Sequence, residues 1–140
     1  MKYEFVTAGC SVDLVLTDDL PVLREALADC ISTHPPSGAD DRPSTYWIDR
    51  ALRYLESRVE DGGKEPLASG CCTYLQVREG LVEARYEFGV EDDELCDAVP
   101  AEELLELLRA WRVRVLEVSP GAHSHRRGQR QDVLGRIPLL

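Results

Sequence analysis

The sequence lacks the long apolar run that crosses a membrane. Its purely apolar stretches are only a few residues long, whereas a spanning helix needs roughly 20 such residues. The opening Met1-Lys2-Tyr3-Glu4-Phe5 also lacks the apolar core of a signal peptide. These absences predict a cytoplasmic protein that does not associate with membranes.

The sequence also lacks the motifs by which catalytic and cofactor sites are recognised. It contains no G-x-S-x-G, P-loop, G-x-G-x-x-G or H-E-x-x-H motif, and the acidic run at 91–94 lacks the central glycine of a calcium-binding loop. His34 precedes a double proline, and His123 and His125 could contribute to a metal site with Cys71 or Cys72. Two histidines in a polar tail are more often solvated, so we favour that interpretation of His123 and His125 over a zinc site. The sequence therefore predicts a protein that is not an enzyme and has no catalytic residues, metal or cofactor. An enzyme whose site is scattered along the chain is the weakest of three alternatives.

The cysteines lack the spacing of a zinc or redox site. Five is an odd number, no C-x-x-C pair occurs, and the adjacent Cys71 and Cys72 would point to opposite faces of an extended strand. We therefore predict reduced thiols, mostly in ordinary core positions.

Positive charge is scarce in one part of the chain. The formal net charge is −10, and residues 79–106 contain 11 acidic residues against the single Arg85. The remaining 15 acidic and 15 basic residues cancel, so this one segment carries the whole imbalance. Such a segment repels nucleic acid and anionic lipid and attracts a basic surface. The alternative interpretation is a solvated face that only keeps the protein soluble.

The first half of the chain predicts a hairpin and two helices. Apolar and polar residues alternate over 3–7 and 11–16, with Gly9 between them as a turn former. Apolar residues at helical spacing predict helices over about 20–32 and about 45–59. We expect Thr17-Asp18-Asp19 to supply the first N-cap, and Ser44 or Thr45 the second.

The second half predicts a longer hairpin and a final helix. Residues 69–78 and 81–88 alternate with period two around a Glu79-Gly80 turn, which puts Cys71 and Phe88 on the inner face and Tyr74 on the outer face. An acidic loop is predicted over 91–97. The helix predicted from Pro100 to about residue 118 carries Trp111 in its apolar stripe, so Trp111 is expected in the core.

The order ββααββα, with one apolar stripe per helix, predicts an α+β fold: a largely antiparallel sheet from two hairpins, with three helices covering one face. The predicted globular domain spans 1–121. Residues 122–140 contain four arginines and one acid without periodicity, and predict a basic, mobile tail.

Three segments carry a family resemblance: L-V-E-A-R-Y-E-F at 81–88, E-D-D-E at 91–94 and V-P-A-E-E-L-L-E-L-L-R-A-W at 99–111. They resemble small immunity proteins of bacterial polymorphic toxin and contact-dependent inhibition systems, in which a hairpin strand, an acidic loop, a V-P step and an L-L-x-x-W helix follow one another. The resemblance implies a cognate toxin as the partner. Many such toxins are basic nucleases, whose phosphate-binding cleft an acidic inhibitor can cover.

Charge and resemblance together predict an acidic protein-binding domain that occludes the active site of a basic toxin. The alternative is a small cytosolic regulatory or scaffold domain without a toxin partner. Tyr74 is the predicted aromatic anchor, because a solvated strand face has little structural need for an aromatic ring. The other predicted contact residues are acidic: Glu83, Glu87, Glu91, Asp92, Asp93, Glu94 and Asp97.

Overall fold

The computed structural model describes residues 1–9, 11–36, 42–58, 66–87 and 96–118. Along this part of the chain lie strands, in two antiparallel sheets, and helices. In chain order the elements are β1 (Tyr3–Ala8), β2 (Ser11–Leu16), α1 (Pro21–Cys30), α2 (Tyr46–Arg58), β3 (Ala68–Ser69), β4 (Thr73–Arg78), β5 (Leu81–Tyr86), β6 (Cys96–Pro100) and α3 (Ala101–Val118). The predicted α+β class is confirmed.

The first hairpin forms a sheet of its own. β1 and β2 pair antiparallel from Tyr3 opposite Leu16 to Ala8 opposite Ser11, and Gly9 adopts a φ of +59° in the turn. β2 buries Val12, Leu14 and Leu16 in the core, whereas most of β1 is exposed. The prediction of a single sheet from two hairpins is thus refined to two sheets.

The second sheet has the strand order β3-β4-β5-β6, with all neighbours antiparallel. Glu79 and Gly80 both have positive φ, of 53° and 81°, which suits a two-residue turn between β4 and β5. The inner face is buried as the alternation predicted, through Thr73, Leu75, Val77, Val82 and Ala84.

The ends of the predicted strands need correction. Cys71 was expected on the inner face, but it is exposed because β4 begins only at Thr73. Phe88 lies outside the described residues. The loop predicted to reach Asp97 ends earlier, since Cys96–Pro100 pairs with β5 as the edge strand β6.

The helices lie on the inner face of this sheet. α1 and α3 contact the four-stranded sheet directly, and α2 packs against α3. Two ion pairs join α2 to α3: Arg112 Nε lies 2.7 Å from Asp49 Oδ1, and Arg109 lies 3.1 Å from Glu56.

Trp111 connects α3 with the first hairpin. Its side chain is 2% exposed, and its Nε1 donates a 2.8 Å hydrogen bond to the carbonyl oxygen of Val12 on β2. The predicted core position of Trp111 is confirmed. One hydrophobic core therefore joins both sheets and the three helices.

No helix within the described ranges has the length and apolar character needed to cross a membrane. The predicted domain end at residue 121 and the predicted tail over 122–140 fall outside those ranges and stay predictions.

Candidate functional site

Tyr74 lies on the outer face of the four-stranded sheet, opposite the face on which the described helices pack. It is half-buried and sits opposite Arg85 of β5, while Gln76 sits opposite Glu83. The sequence alternation predicted this face correctly. The outer face of β4 and β5 therefore combines the aromatic ring of Tyr74 with long polar and charged side chains.

Glu83 is held by arginines on the same face. Its Oε1 accepts a 3.1 Å hydrogen bond from Arg85 Nε and lies 3.9 Å from Arg78 Nε, and its side chain is only 14% exposed. The hydrogen bond to Glu83 raises the pKa of Arg85. Although Glu83 belongs to the predicted acidic surface, its charge is neutralised within the hairpin.

Asp97 faces the other way. It pairs with Ala84 of the inner face, and its Oδ2 accepts hydrogen bonds from the backbone N–H groups of Val22 (2.7 Å) and Leu23 (2.9 Å). Asp97 thus caps the N-terminus of α1, where negative charge is favoured by the helix dipole. The N-cap predicted in 17–19 is wrong, because Leu20 occupies that position and makes no side-chain cap bond.

We predict that Asp97→Ala lowers the free energy of unfolding by about 1–2 kcal/mol, since it leaves two helix N–H groups without an acceptor. Asp97→Asn keeps an oxygen for the cap and should cost less. Urea unfolding of both variants measures the difference. Glu87→Ala is the matched control, because this exposed acid should change stability by less than about 0.5 kcal/mol. Parent-like stability of Asp97→Ala would contradict the capping role.

Glu87 is exposed directly after β5, and its N–H donates a 2.7 Å hydrogen bond to the carbonyl oxygen of Cys72. Glu91, Asp92, Asp93 and Glu94 lie outside the described residues, so their contact role stays a prediction. Of the described candidates, the structure brings Tyr74 and Glu83 onto one face, places Glu87 at its end, and separates Asp97 from them.

Sequence reasoning missed Asp29, near the end of α1. Its carboxylate accepts hydrogen bonds from the backbone N–H groups of Cys71 (3.1 Å), Cys72 (2.9 Å) and Thr73 (3.0 Å), and from the Thr73 hydroxyl (2.7 Å). Desolvation raises the pKa of Asp29, but these hydrogen bonds outweigh it and hold the pKa below its ordinary value. Asp29 therefore fixes the loop that leads into β4.

Gly70 is needed in the same loop because Asp29 approaches it closely. A Cβ atom at residue 70 would lie 2.6 Å from the backbone carbonyl oxygen of Asp29. The signal in the sequence was Gly70 as an isolated glycine inside the predicted strand, which suggests a bulge or a close backbone approach. It does not reveal Asp29, which lies more than 40 residues away.

Cys71 and Cys72 belong to this loop, and Cys30 lies beside it. Cys71 and Cys72 are exposed, and Cys30 is half-buried with its Sγ 3.5 Å from both the carbonyl oxygen and the hydroxyl of Thr73. Burial raises the pKa of the Cys30 thiol to about 11. Cys30, Cys71, Cys72 and Cys96 are free cysteines, but the predicted core position is wrong for Cys71 and Cys72, which are exposed.

A hydrogen bond joins β5 to α1 beside the loop. Tyr86 donates its hydroxyl proton to Glu25 Oε1 at 2.6 Å, and this bond to a carboxylate raises the pKa of Tyr86. Glu25, Asp29 and Glu87 make the surroundings of the exposed thiols acidic.

A pocket of about 460 Å³ is the place where the alternative of an enzyme can be examined, because polar and titratable side chains line it. Asp13, Arg24 and His34 line it together with Ser32, whose hydroxyl lies 3.2 Å from His34 Nδ1. The Ser32 oxygen also accepts the His34 backbone N–H at 3.0 Å, which is typical of a local serine turn.

Across the described ranges no group of three or more histidine, cysteine or acidic side chains could hold a metal ion.

Comparison of the chain with protein-family models, with curated proteins and with solved structures gave no match.

Proposed function

We propose that this protein is an acidic binding domain that recognises a basic protein through the outer face of the β4–β5 hairpin and the acidic connection that follows it. The observation that supports this most is the position of Tyr74: the described helices pack on the inner face of the sheet, and Tyr74 lies half-buried on the opposite face. The segment that carries the whole net charge includes β5 and continues directly from it.

The structure narrows the set of acids that can attract a partner. Glu83 is paired with arginines, and Asp97 caps α1. Glu87 remains exposed at the end of β5, and the sequence continues with Glu91, Asp92, Asp93 and Glu94. These five acids are the source of attraction that the proposal requires.

Tyr74 is proposed as the anchor beside these charges. An aromatic ring on the outer sheet face supplies a large contact area at little cost in conformational entropy, and such residues commonly dominate binding energy. Its neighbours Arg85 and Glu83 are already paired with each other, so a partner covering them does not bury an isolated charge.

The specific form of the proposal is an immunity protein in the cytoplasm that occludes the active site of a cognate basic toxin. The resemblance of residues 81–111 to such immunity proteins supports it, and so does the sign of the charge. A basic nuclease is the kind of toxin that fits best, because its cleft must attract phosphates and will attract carboxylates in their place.

The test is the salt-dependent association of the protein with its partner, captured by affinity from the native cell and identified by mass spectrometry. We predict that Asp92→Lys with Asp93→Lys slows association by roughly 10-fold at low salt and flattens its dependence on ionic strength, since electrostatic steering acts mainly on the on-rate.

The matched control is Glu4→Lys with Asp13→Lys. Both residues are exposed on the first hairpin, so the control changes the net charge equally but on the other sheet. It should associate nearly as fast as the parent. Equal slowing in both variants would indicate only net charge, and parent-like kinetics of the 92/93 variant would favour a regulatory or scaffold domain whose acids serve solubility.

A further inference from the structure

We propose that Cys71 and Cys72 form a two-thiol binding site for trivalent arsenic, presented to solvent by the loop that Asp29 holds in place. Both thiols are exposed, and the side chain of Cys71 lies within hydrogen-bonding reach of the Cys72 thiol. An extended strand would have separated them onto opposite faces, whereas here β4 begins only at Thr73. The site adjoins Glu87 of the proposed partner-binding surface, whose N–H donates to the Cys72 carbonyl oxygen, but its thiol chemistry does not depend on a protein partner.

The backbone of the site is held by hydrogen bonds to Asp29. The N–H groups of Cys71, Cys72 and Thr73 all donate to the Asp29 carboxylate. Gly70 donates its N–H to the Thr73 carbonyl oxygen at 2.9 Å, which closes the loop. Because the backbone hydrogen bonds are satisfied within the protein, the loop holds the two thiols together before any ligand arrives, which lowers the entropic cost of binding.

The geometry favours a bridging atom over a direct disulfide. Adjacent Cα atoms are separated by about 3.8 Å across a trans peptide, which is shorter than the separation of about 4.4–6.8 Å that disulfides require. A disulfide between neighbours must distort the peptide, and that would break the N–H bonds to Asp29. A larger atom between the two sulfurs closes a wider ring and leaves the peptide in place.

The ligand class follows from the number of donors. Structural zinc takes four ligands, and the described residues offer no group of three or more. Trivalent arsenic needs only two thiols when its third position is already filled. With phenylarsine oxide, two S–H bonds and the arsenic–oxygen bond break, two arsenic–sulfur bonds form, and both protons leave with the oxygen as one water. Arsenic stays trivalent, so no oxidant is needed.

The acidic surroundings favour the reduced form of the pair, which the reaction with an arsenical requires. The hydrogen bond with Cys71 raises the pKa of Cys72, and Asp29 and Glu25 add to the effect. Since the thiolate is the form that oxidants attack, a smaller thiolate fraction slows the oxidation of Cys72.

Titration of the full-length protein with phenylarsine oxide tests the proposal, with intact mass and affinity as readouts. We expect one equivalent to bind. Cys71→Ser and Cys72→Ser should each weaken binding by roughly 10²–10⁴-fold, because the second bond then loses its high effective concentration. The matched control is the variant Cys10→Ser, Cys30→Ser and Cys96→Ser, which keeps only the adjacent pair and should bind like the parent.

Asp29→Asn tests whether the affinity for phenylarsine oxide depends on the loop held by Asp29 or only on the presence of two thiols. It keeps the size of the side chain but weakens its bonds to the loop, so the affinity for phenylarsine oxide should fall while both cysteines remain. Parent-like affinity in the Cys71 or Cys72 variant, or loss of binding in a folded triple-serine variant, would overturn the site. Unchanged affinity of Asp29→Asn would overturn the role given to the loop.

Discussion

Replacing Trp111 with alanine is expected to lower the free energy of unfolding by roughly 3–5 kcal/mol, the usual cost of deleting a buried large aromatic side chain. The ring is 2% exposed and lies in the core where α3 meets β2. Its loss leaves a cavity at the point where the separate two-stranded sheet is joined to the rest of the fold. Chemical denaturation measures the change.

Trp111→Phe distinguishes the ring from its hydrogen bond. Phenylalanine keeps most of the apolar volume but leaves the Val12 carbonyl oxygen without the indole N–H, which should cost about 1–3 kcal/mol. If Trp111→Ala unfolds at the same denaturant concentration as the parent, Trp111 does not lie in the core. If Trp111→Phe is as destabilised as Trp111→Ala, the hydrogen bond dominates over packing.

The same region shows why the first hairpin does not extend into the larger sheet. The N–H of Val12 donates to the Thr33 hydroxyl at 2.9 Å, and its carbonyl oxygen accepts from Trp111. Side chains therefore occupy backbone groups of β2 that a further strand would otherwise pair with. A core position for Trp111 could be predicted from helical spacing. Its acceptor could not, because Val12 is 99 residues away in the sequence.

The elements with strong periodicity were predictable, and the short ones were not. The β4–β5 hairpin follows from alternation and its Glu79-Gly80 turn, and α3 follows from its apolar stripe. β6 was missed because it holds only five residues and includes Asp97 and Pro100, both depleted in strands. Proline is tolerated there because β6 is the edge strand, paired with β5 on one side.

Part of the candidate surface could be predicted because it lies on strands with a clear alternation. Alternation places Tyr74, Glu83 and Arg85 on one face, and two residues of opposite charge at i and i+2 on that face indicate a pair. The position of Asp97 required knowledge of a strand that the sequence does not signal. Its capping of α1 and the hold of Asp29 on the loop before β4 are both contacts between distant parts of the chain, which tertiary packing alone decides.

Replacing Asp29 with alanine is expected to cost about 2–3 kcal/mol at neutral pH, since the substitution removes the acceptor of three backbone N–H groups and one hydroxyl. The half-buried position of Asp29 keeps this below the sum of the separate bonds, because water can reach the freed N–H groups. Asp29→Asn retains one oxygen acceptor and should lose less.

The pH dependence tests the charge of Asp29 directly. The hydrogen bonds lower its pKa in the folded state, so its contribution to stability is fully present above the unfolded pKa of about 3.9 and is lost as the pH falls through the folded pKa. Urea unfolding of the parent and of Asp29→Asn at pH 7 and near pH 3 should therefore show a gap in unfolding free energy that narrows in acid. Glu87→Gln is the control, because this exposed carboxylate accepts none of the loop's N–H groups, and its gap should stay small at both pH values. An Asp29→Asn gap of equal size at the two pH values would mean that the carboxylate acts through its shape alone and that its negative charge contributes nothing to holding the loop.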